Sequence, residues 1–215
     1  YILSSVCSVF KIRSPIPGRF TVMNTLEAAA AALLLGIDCR NIQDALRHMG
    51  GIDGRFERVR LCAGAEFSVF IDYAHTPDGL YNVIQTIRGF AKKRIITVFG
   101  CGGDRDKTKR PKMGKIAASL SDFTIVTSDN PRSEDPEKII DDIMPGIPRE
   151  KQHRITDREE AIRAALENAR PGDCILIAGK GHENYQIFAN ETISFSDSAV
   201  VLKYYEEKNP EGRSV

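Results

Sequence analysis

The second part of the chain alternates short apolar runs with stretches in which apolar residues recur every three or four positions. The apolar runs are Phe67–Ile71, Arg94–Phe99, Phe123–Thr127 and Cys174–Ala178. The helix-like stretches are Asp78–Phe90, Lys112–Leu120, Pro136–Met144, Asp157–Ala169 and Ser198–Glu207. Continuous apolar runs of this length are typical of strands that are buried on both faces. The alternation therefore predicts an α/β fold, in which a mostly parallel sheet carries helices on both faces.

The first fifty residues follow a different pattern, which predicts helices without a sheet of their own. One helix is expected to have Asn24 or Thr25 as its cap and to end at Gly36, and a second covers about residues 41–49. One short strand is predicted at residues 5–12. A boundary near residues 52–54 divides the chain into domains 1–52 and 53–215, the first being a short helical remnant of a preceding domain. The chain begins with Tyr1 rather than Met, which indicates a fragment.

Charge and composition narrow the classes of function. Lys and Arg number 30 and Asp and Glu 29, so a net charge of +1 provides no overall field for nucleic acid or an acidic membrane. The longest apolar run, residues 28–35, is much shorter than the ~20 residues that span a bilayer, and no secretion signal opens the chain. The five cysteines are scattered and lack a C-x-x-C pair, which fits a reducing cytoplasm rather than disulfides or a zinc cluster.

Polar, glycine-rich segments follow all four apolar runs. They are DYAHTPD after the first run, GCGGDRDK after the second, SDNPRSE after the third and GKGHE after the fourth. The carboxyl ends of parallel strands lie at one edge of a sheet, where ligands bind in folds of this kind. We therefore expect a ligand site built from these four segments. No complete P-loop, dinucleotide fingerprint or H-E-x-x-H zinc helix is present in the sequence.

The charged residues of these segments suit a ligand that carries both a carboxylate and an ammonium group. Arg105 and Arg132 have the forked donors that match a carboxylate. Glu183 is able to hold an ammonium, and the glycines at 179 and 181 allow a close approach of the backbone. The pattern predicts recognition of a zwitterion such as an amino acid.

Taken singly, several of these residues have plainer interpretations, which the sequence leaves open. An isolated arginine after a strand, such as Arg132, is more often a solvated charge, although the prolines around it make its loop rigid. His75 and His182 are, in isolation, more often structural than catalytic. Asp72 at a strand end is equally well an Asx-turn or a helix cap. The sequence assigns no catalytic residue.

The four segments together resemble those of the Mur ligases, ATP-dependent enzymes that form amide bonds in peptidoglycan synthesis. The resemblance rests on GRFE, DYAHTPDGL, FGCGGDRDKTKRPKMG, SDNPRSEDP and AGKGHENYQ in this order, and on GRFTVMNTLEAAAAALLLGI upstream. It implies a Rossmann-like sheet for residues 53–215, as the C-terminal domain that binds the amino acid. Residues 1–52 would then be the end of the family's central ATP-binding domain.

The resemblance also implies site residues, carried over position by position. The amino-acid pocket falls on Arg105, Asp129, Asn130, Pro131, Arg132, Gly179 and Glu183. The ATP contacts of this half fall on Asn24, Arg55, Asp72 and His75. No metal ligand is expected in this chain, because the phosphate loop, the main Mg²⁺ ligands and most of the UDP-sugar site would lie upstream of Tyr1.

The D-N-P-R segment is the version that the family associates with meso-diaminopimelate, whose second amino-acid end offers a carboxylate to Arg132. Lysine would leave that guanidinium unpaired, at a cost of about 1–3 kcal/mol where it is buried. The implied reaction is acyl phosphate formation on UDP-N-acetylmuramoyl-L-alanyl-D-glutamate by ATP with Mg²⁺, followed by attack of the amino acid's nitrogen. This chain alone is then expected to bind the amino acid weakly and to catalyse nothing.

Three other classes of protein share part of this pattern. A folylpolyglutamate-type ligase of the same superfamily would take glutamate, but the D-N-P-R and G-K-G-H-E segments count against it. A non-enzymatic binding module of flavodoxin-like shape would be favoured by a true start of the protein at Tyr1 and by the absence of an exposed apolar face near Ala28–Leu35. A flavin-dependent redox protein is disfavoured, because no aromatic pair is placed to sandwich the flavin ring.

Overall fold

A two-stranded sheet and two helices form the first of the two units into which the chain divides, Tyr1–Ile52 and Asp53–Val215. The computed structural model describes residues 2–4, 9–14, 16–61 and 65–209. Strand β1 (Ile2–Ser4) pairs antiparallel with β2 (Val9–Lys11), and helices α1 (Arg19–Leu34) and α2 (Cys39–His48) follow. The apolar cluster of this unit consists of Phe10, Ile12, Ala29, Ile42 and Leu46.

Two expectations for this unit are wrong. The strand predicted without a sheet is one half of the β1–β2 pair, because an unpaired strand would leave its backbone groups without partners. Residues 5–8 of that prediction lie outside the described residues. Helix α1 begins at Arg19 and not after Asn24 or Thr25. The Thr25 hydroxyl donates to the Thr21 carbonyl at 2.7 Å, so it serves inside the helix and not as a cap.

A six-stranded sheet forms the centre of the second unit. Its strands are β3 (Glu57–Arg58), β4 (Ser68–Asp72), β5 (Ile95–Phe99), β6 (Phe123–Val126), β7 (His153–Arg154) and β8 (Cys174–Ala178). Their order is β3-β4-β8-β5-β6-β7, with β3 antiparallel to β4 and every other pair parallel. A separate antiparallel hairpin follows, β9 (Tyr185–Ile187) with β10 (Thr192–Ser194). The helices are α3 (Pro77–Arg88), α4 (Lys109–Leu120), α5 (Pro136–Ile143), α6 (Arg158–Asn168) and α7 (Asp197–Lys208).

Both faces of the sheet are covered, since every residue of β5 and β8 is buried. On one face, Ile175 and Ile177 of β8 pack in a cluster with Ala161 and Ile162 of α6 and with Val201 of α7. The strand residues between them point to the opposite face, where α3 contacts β5 and β8 and α4 contacts β6. The prediction of an α/β fold with a mostly parallel sheet and flanking helices is confirmed.

The four apolar runs match the four central strands, whereas several shorter elements were missed. Strands β3 and β7 and the β9–β10 hairpin consist largely of polar or exposed residues, so no apolar run marks them. Helix α4 begins at Lys109, three residues before the predicted start. Pro111 fits into its first turn, because the N–H that proline lacks has no helical partner there.

The carboxyl ends of the four central strands form one row. The register pairs Asp72 of β4 with Ala178 of β8, Ala178 with Phe99 of β5, and Phe99 with Val126 of β6. The four polar segments therefore leave the sheet side by side. Within the described residues, no helix is both long enough and apolar enough to cross a membrane.

Candidate functional site

A buried arginine fixes the start of two of these segments. Arg158, the first residue of α6, is fully buried and donates from Nε and Nη2 to the two carboxylate oxygens of Asp197, at 2.8 Å each. It also donates to the carbonyls of Ala178 at 3.1 Å and Ser128 at 3.3 Å. Burial alone would lower the pKa of this guanidinium, but the equally buried Asp197 raises it. The ends of β6 and β8 are thereby tied to α6 and α7.

The segments after β6 and β8 meet in three polar side chains, Asn130, Lys180 and Glu183, which we call the polar cluster. Asn130 Nδ2 donates to Glu183 Oε2 at 2.8 Å, and Lys180 Nζ donates to Asn130 Oδ1 at 3.0 Å and to Glu183 Oε2 at 3.1 Å. Asn130 and Lys180 are buried and Glu183 is partly exposed. Nothing among the described residues donates to Glu183 Oε1, so one carboxylate oxygen is left for a ligand.

Gly179 brings the backbone of its segment against Asp129. Its φ of 117° strains any residue with a side chain, and a Cβ there would lie 2.5 Å from Asp129 Oδ2. Asp129 is buried, and its Oδ1 accepts from the backbone N–H of Asn130 at 2.7 Å. Gln186 of β9 donates to the Asp129 carbonyl at 2.7 Å. The contact between the two segments depends on glycine at 179.

Arg132 lies on the segment after β6 in the left-handed conformation, with φ at 53°. Its backbone N–H donates to the Ile187 carbonyl of β9 at 3.0 Å, and Nη1 donates to the carbonyls of Gly103 at 2.9 Å and Asn130 at 3.3 Å. These bonds hold a backbone conformation that costs on the order of 1–3 kcal/mol. Arg132 Nε and Nη2 make no hydrogen bond with any described residue, so part of the fork is available to an anion.

Glu134 links this segment to the one after β5. Its carboxylate accepts from the Asp104 N–H at 2.7 Å, from Lys107 Nζ at 3.0 Å and twice from the buried Arg110, at 2.9 and 3.0 Å. Chiefly because of the bonds from Arg110, the pKa of Glu134 falls from its ordinary value of 4.5 to about 2. Arg105 is exposed on the linked segment, where Nη1 donates to the Asp104 carbonyl at 2.9 Å.

A group of rings and one cation lies around the carboxyl end of β4. The guanidinium of Arg55 lies 4.7 Å from the centroid of the Tyr73 ring. The rings of His75 and His182 lie 4.7 Å and 5.6 Å from the same ring. Burial, and then the negative charge of Glu183, raise the pKa of the Tyr73 phenol, which favours its protonated form. Arg55 and both histidines are exposed, so this group presents cationic and aromatic surface beside the polar cluster's segment.

Asp72 supports the backbone that leads into this group. Its Oδ1 accepts from the N–H of Ala74, two residues on, and its Oδ2 from the N–H of Phe56, at 2.8 Å each. The first bond makes the Asx-turn, and Thr76 rather than Asp72 caps α3. Burial raises the pKa of Asp72, opposed by these two donors. Both oxygens of Asp72 thus already hold the backbone.

The predicted site residues fall into groups. Those that meet at the ends of β6 and β8 are Asp129, Asn130, Gly179 and Glu183. Pro131 and Arg132 continue the same segment, and Arg105 lies on the neighbouring one. Arg55, Asp72 and His75 lie around the end of β4. Asn24 lies at an exposed position of α1, in the first unit.

Three buried cations, Lys180, Arg158 and Arg110, were not predicted from the sequence. Lys180 stands within the G-K-G-H-E segment between two glycines, and that place was a usable signal. Arg158 is followed by two glutamates, a pattern that is typical of a solvated helix face. Its partner Asp197 is 39 positions away, so no local pattern indicates the pair.

The free groups at this edge suit a zwitterion. Glu183 Oε1 offers a negative charge to an ammonium, and the free N–H groups of Arg132 offer a fork to a carboxylate. Within the described ranges, no group of three His, Cys, Asp or Glu side chains is placed to hold a metal ion. No chemical step is assigned to the Mg²⁺ that the resemblance implies.

Fold and site together define an α/β domain of the class that recognises its ligand at the carboxyl edge of a parallel sheet. The family model described as "Mur ligase, glutamate ligase domain" matches residues 54–181. The chain belongs to this family.

Relatives of this family are similar to the chain to different degrees. The chain is 54% identical over 186 residues to the UDP-N-acetylmuramoyl-L-alanyl-D-glutamate–2,6-diaminopimelate ligase of Trichormus variabilis, covering 86% of its own length and 38% of that relative. A solved structure of a ligase with the same name is 40% identical, with a TM-score of 0.71, and the match covers 97% of this chain and 42% of that one. A folylpolyglutamate synthase from Mycobacterium tuberculosis has a TM-score of 0.66 over 97% of this chain and 43% of its own. At 19% identity, that likeness shows the fold alone.

Proposed function

We propose that this chain is the amino-acid-recognising part of an ATP-dependent ligase. The ligase joins meso-diaminopimelate to UDP-N-acetylmuramoyl-L-alanyl-D-glutamate in peptidoglycan synthesis. The name of the 54% identical relative supports this reaction. Because the chain spans only 38% of that relative, the proposal includes upstream domains of the same protein that hold the sugar nucleotide and the phosphates of ATP. Residues 1–52 are then the end of the central ATP-binding domain, and residues 53–215 the C-terminal domain.

The proposal rests on two charged side chains, each of which has some polar atoms hydrogen-bonded within the chain and others open to a ligand. Glu183 has one oxygen anchored in the polar cluster and the other open. Arg132 has one nitrogen of its guanidinium bound to carbonyls and two nitrogens open. Both residues belong to segments at the same edge of the sheet, after β6 and β8, which flank β5. An amino-acid end supplies one ammonium and one carboxylate, which complement these two open groups.

Selectivity for meso-diaminopimelate over lysine follows from Arg132. The two ligands differ in the carboxylate at the far end of the side chain, which only diaminopimelate carries. A site with a held guanidinium rejects a ligand that leaves it unpaired by factors that reach ~10⁴. The rigid backbone of Arg132, held by the Ile187 carbonyl, supports such a role, because a guanidinium on a mobile loop would turn to water instead.

The second group of side chains supports the nucleotide half of the reaction. We assign Arg55 and His75 to ATP because they are exposed and offer a cation and an aromatic face. ATP transfers its terminal phosphoryl group to the glutamate carboxylate. The free amine of diaminopimelate then attacks the acyl carbon, the bond from that carbon to the phosphate oxygen breaks, and a proton leaves the nitrogen. This chain contributes by holding the far end of the amino acid, so that the amine is positioned for attack.

The setting of this reaction completes the proposal. Mg²⁺ would accompany ATP at ligands upstream of this chain. Two cysteines within the described residues, Cys101 and Cys174, are buried free thiols, which supports a cytoplasmic location.

Isothermal titration of meso-diaminopimelate and of L-lysine into the 215-residue chain tests the recognition step. We expect saturable heat with meso-diaminopimelate and at least ~100-fold weaker binding of lysine. Arg132→Ala should abolish the preference. Arg149→Ala is the matched control, because Arg149 is exposed and precedes β7, at the opposite edge of the sheet. Tighter binding of lysine contradicts the proposal. Absence of heat from both ligands shows that the pocket is not complete in this chain.

A further inference from the structure

Lys180 is a fully buried lysine that neither the reaction nor the resemblance explains. Its Nζ donates to Asn130 Oδ1 at 3.0 Å and to Glu183 Oε2 at 3.1 Å, and lies 5.6 Å from the centroid of the Tyr185 ring. Burying an ammonium is costly unless a counter-charge and hydrogen bonds compensate for it. Since its side chain is 0% exposed, it offers no surface to a ligand. Its effect must pass through its two partners.

The first partner, Asn130, is oriented by the donors around it. Its Oδ1 accepts from Lys180 Nζ and also from the backbone N–H of Ile187 at 3.0 Å. An ammonium and a peptide N–H are able only to donate, so both require the oxygen end of the amide on their side. The nitrogen end is thereby turned to Glu183. Both lone pairs of Asn130 Oδ1 are used, and this oxygen is not available to the ammonium of an amino acid.

The second partner, Glu183, is held through one oxygen. Lys180 Nζ and Asn130 Nδ2 converge on Oε2, which fixes the plane of the carboxylate, and Oε1 is left without a donor among the described residues. A carboxylate without these two donors would rotate freely at its partly exposed position. The two donors therefore determine which oxygen faces the ligand.

We propose that Lys180 is a positioning residue for amino-acid recognition. It sets the orientation of the Asn130 amide and anchors Glu183 Oε2, so that Oε1 is presented to the ammonium of the ligand. That the ligand is an amino acid rests on the proposed function, whereas the orientation of Asn130 and Glu183 does not.

Charge and position predict opposite results when Lys180 is replaced by methionine, which has a similar length and no donor. If Lys180 acted by charge alone, its removal would strengthen the binding of an ammonium, because like charges repel. If it acts by position, the removal weakens binding. Lys115→Met is the matched control, since Lys115 is exposed on α4.

The test combines calorimetry with NMR of the ligand-free 215-residue chain. We expect Lys180→Met to weaken the binding of meso-diaminopimelate at least ~10-fold, which corresponds to about 1.4 kcal/mol of binding free energy. The affinity for pimelate, which has both carboxylates and lacks both amines, should change less than about twofold. In the spectra, the Asn130 side-chain amide and the Ile187 N–H should shift and exchange faster in Lys180→Met and not in Lys115→Met.

Each remaining outcome overturns the proposal or separates it from the proposed function. Unchanged or tighter binding of meso-diaminopimelate to Lys180→Met refutes a positioning role. Equal losses of affinity for diaminopimelate and pimelate show that Lys180 only supports the fold of the site. Unaltered signals of Asn130 and Ile187 also refute it. If the wild-type chain binds no diaminopimelate, the pocket is not complete in this chain, and the ligand-free spectra still decide whether Lys180 orients Asn130.

Discussion

Replacing Arg158 by methionine should destabilise the second unit strongly. The substitution leaves Asp197, which is fully buried, without its two hydrogen bonds of 2.8 Å, and removes the bonds to the carbonyls of Ser128 and Ala178. Breaking a buried ion pair by removing one partner costs about 3–5 kcal/mol. At roughly 2–4 °C per kcal/mol for a chain of this size, a loss of about 4 kcal/mol lowers Tm by roughly 8–16 °C.

Urea unfolding of the chain, followed through NMR signals of β6 and β8, measures this loss as a change in the free energy of unfolding. Arg163→Met on the same helix is the control, because Arg163 is partly exposed in its pairs with Glu159 and Glu207 and should lose less than ~1 kcal/mol. Adding Asp197→Leu to Arg158→Met removes the orphaned charge and should recover much of the stability. The stabilising role of the buried ion pair is refuted if Arg158→Met lowers the free energy of unfolding by less than ~1 kcal/mol, or if the double variant recovers none of the loss.

Three further changes test other contacts of the site. Gly179→Ala places a Cβ 2.5 Å from Asp129 Oδ2 at a φ of 117°. Calorimetry should therefore show at least ~10-fold weaker binding of meso-diaminopimelate. Unchanged affinity would contradict the close contact. Because the pKa of Glu134 is lowered to about 2, its contribution to stability is complete above its unfolded value of 4.5 and is lost as pH falls from there towards 2. The free energy of unfolding should therefore fall less steeply with decreasing pH in Glu134→Gln than in the wild type. Equal slopes in the two proteins would count against the lowered pKa of Glu134. Burial raises the pKa of Cys101 to about 12, so mass mapping after iodoacetamide at pH 8 should find Cys101 modified only after unfolding; modification of Cys101 in the folded chain would contradict its burial.

The central sheet could be predicted because burial on both faces leaves a continuous apolar run. Cys174–Ala178 and Ile95–Phe99 are buried at every position, and the sequence marks them without ambiguity. The edge strand Glu57–Arg58 has only two residues, both charged, so no apolar run marks its pairing with β4. The start of α1 was placed too late because Thr25, a residue typical of caps, bonds within the helix instead.

The site was predictable as far as its residues follow strand ends. Asp129, Asn130 and Glu183 stand in the segments that follow apolar runs, so their meeting at one edge follows from parallel topology. What the sequence does not reveal is which charges are buried. Lys180 stands in a polar, glycine-rich segment, where a lysine is usually exposed to solvent. Arg158 is paired with a residue distant in the chain. Burial of this kind arises from tertiary packing and has no local periodicity.

Amide-bond formation by a complete enzyme is the most direct test of the proposed function. The chain is joined to the part of the Trichormus variabilis ligase that precedes the matched region, and the intact relative serves as the positive control. ADP release and product mass are followed with UDP-N-acetylmuramoyl-L-alanyl-D-glutamate, ATP, Mg²⁺ and either meso-diaminopimelate or L-lysine. We expect the diaminopimelate product, at least ~100-fold less product with lysine, and loss of this preference in Arg132→Ala. Equal or faster reaction with lysine, or no product while the intact relative is active, would contradict it.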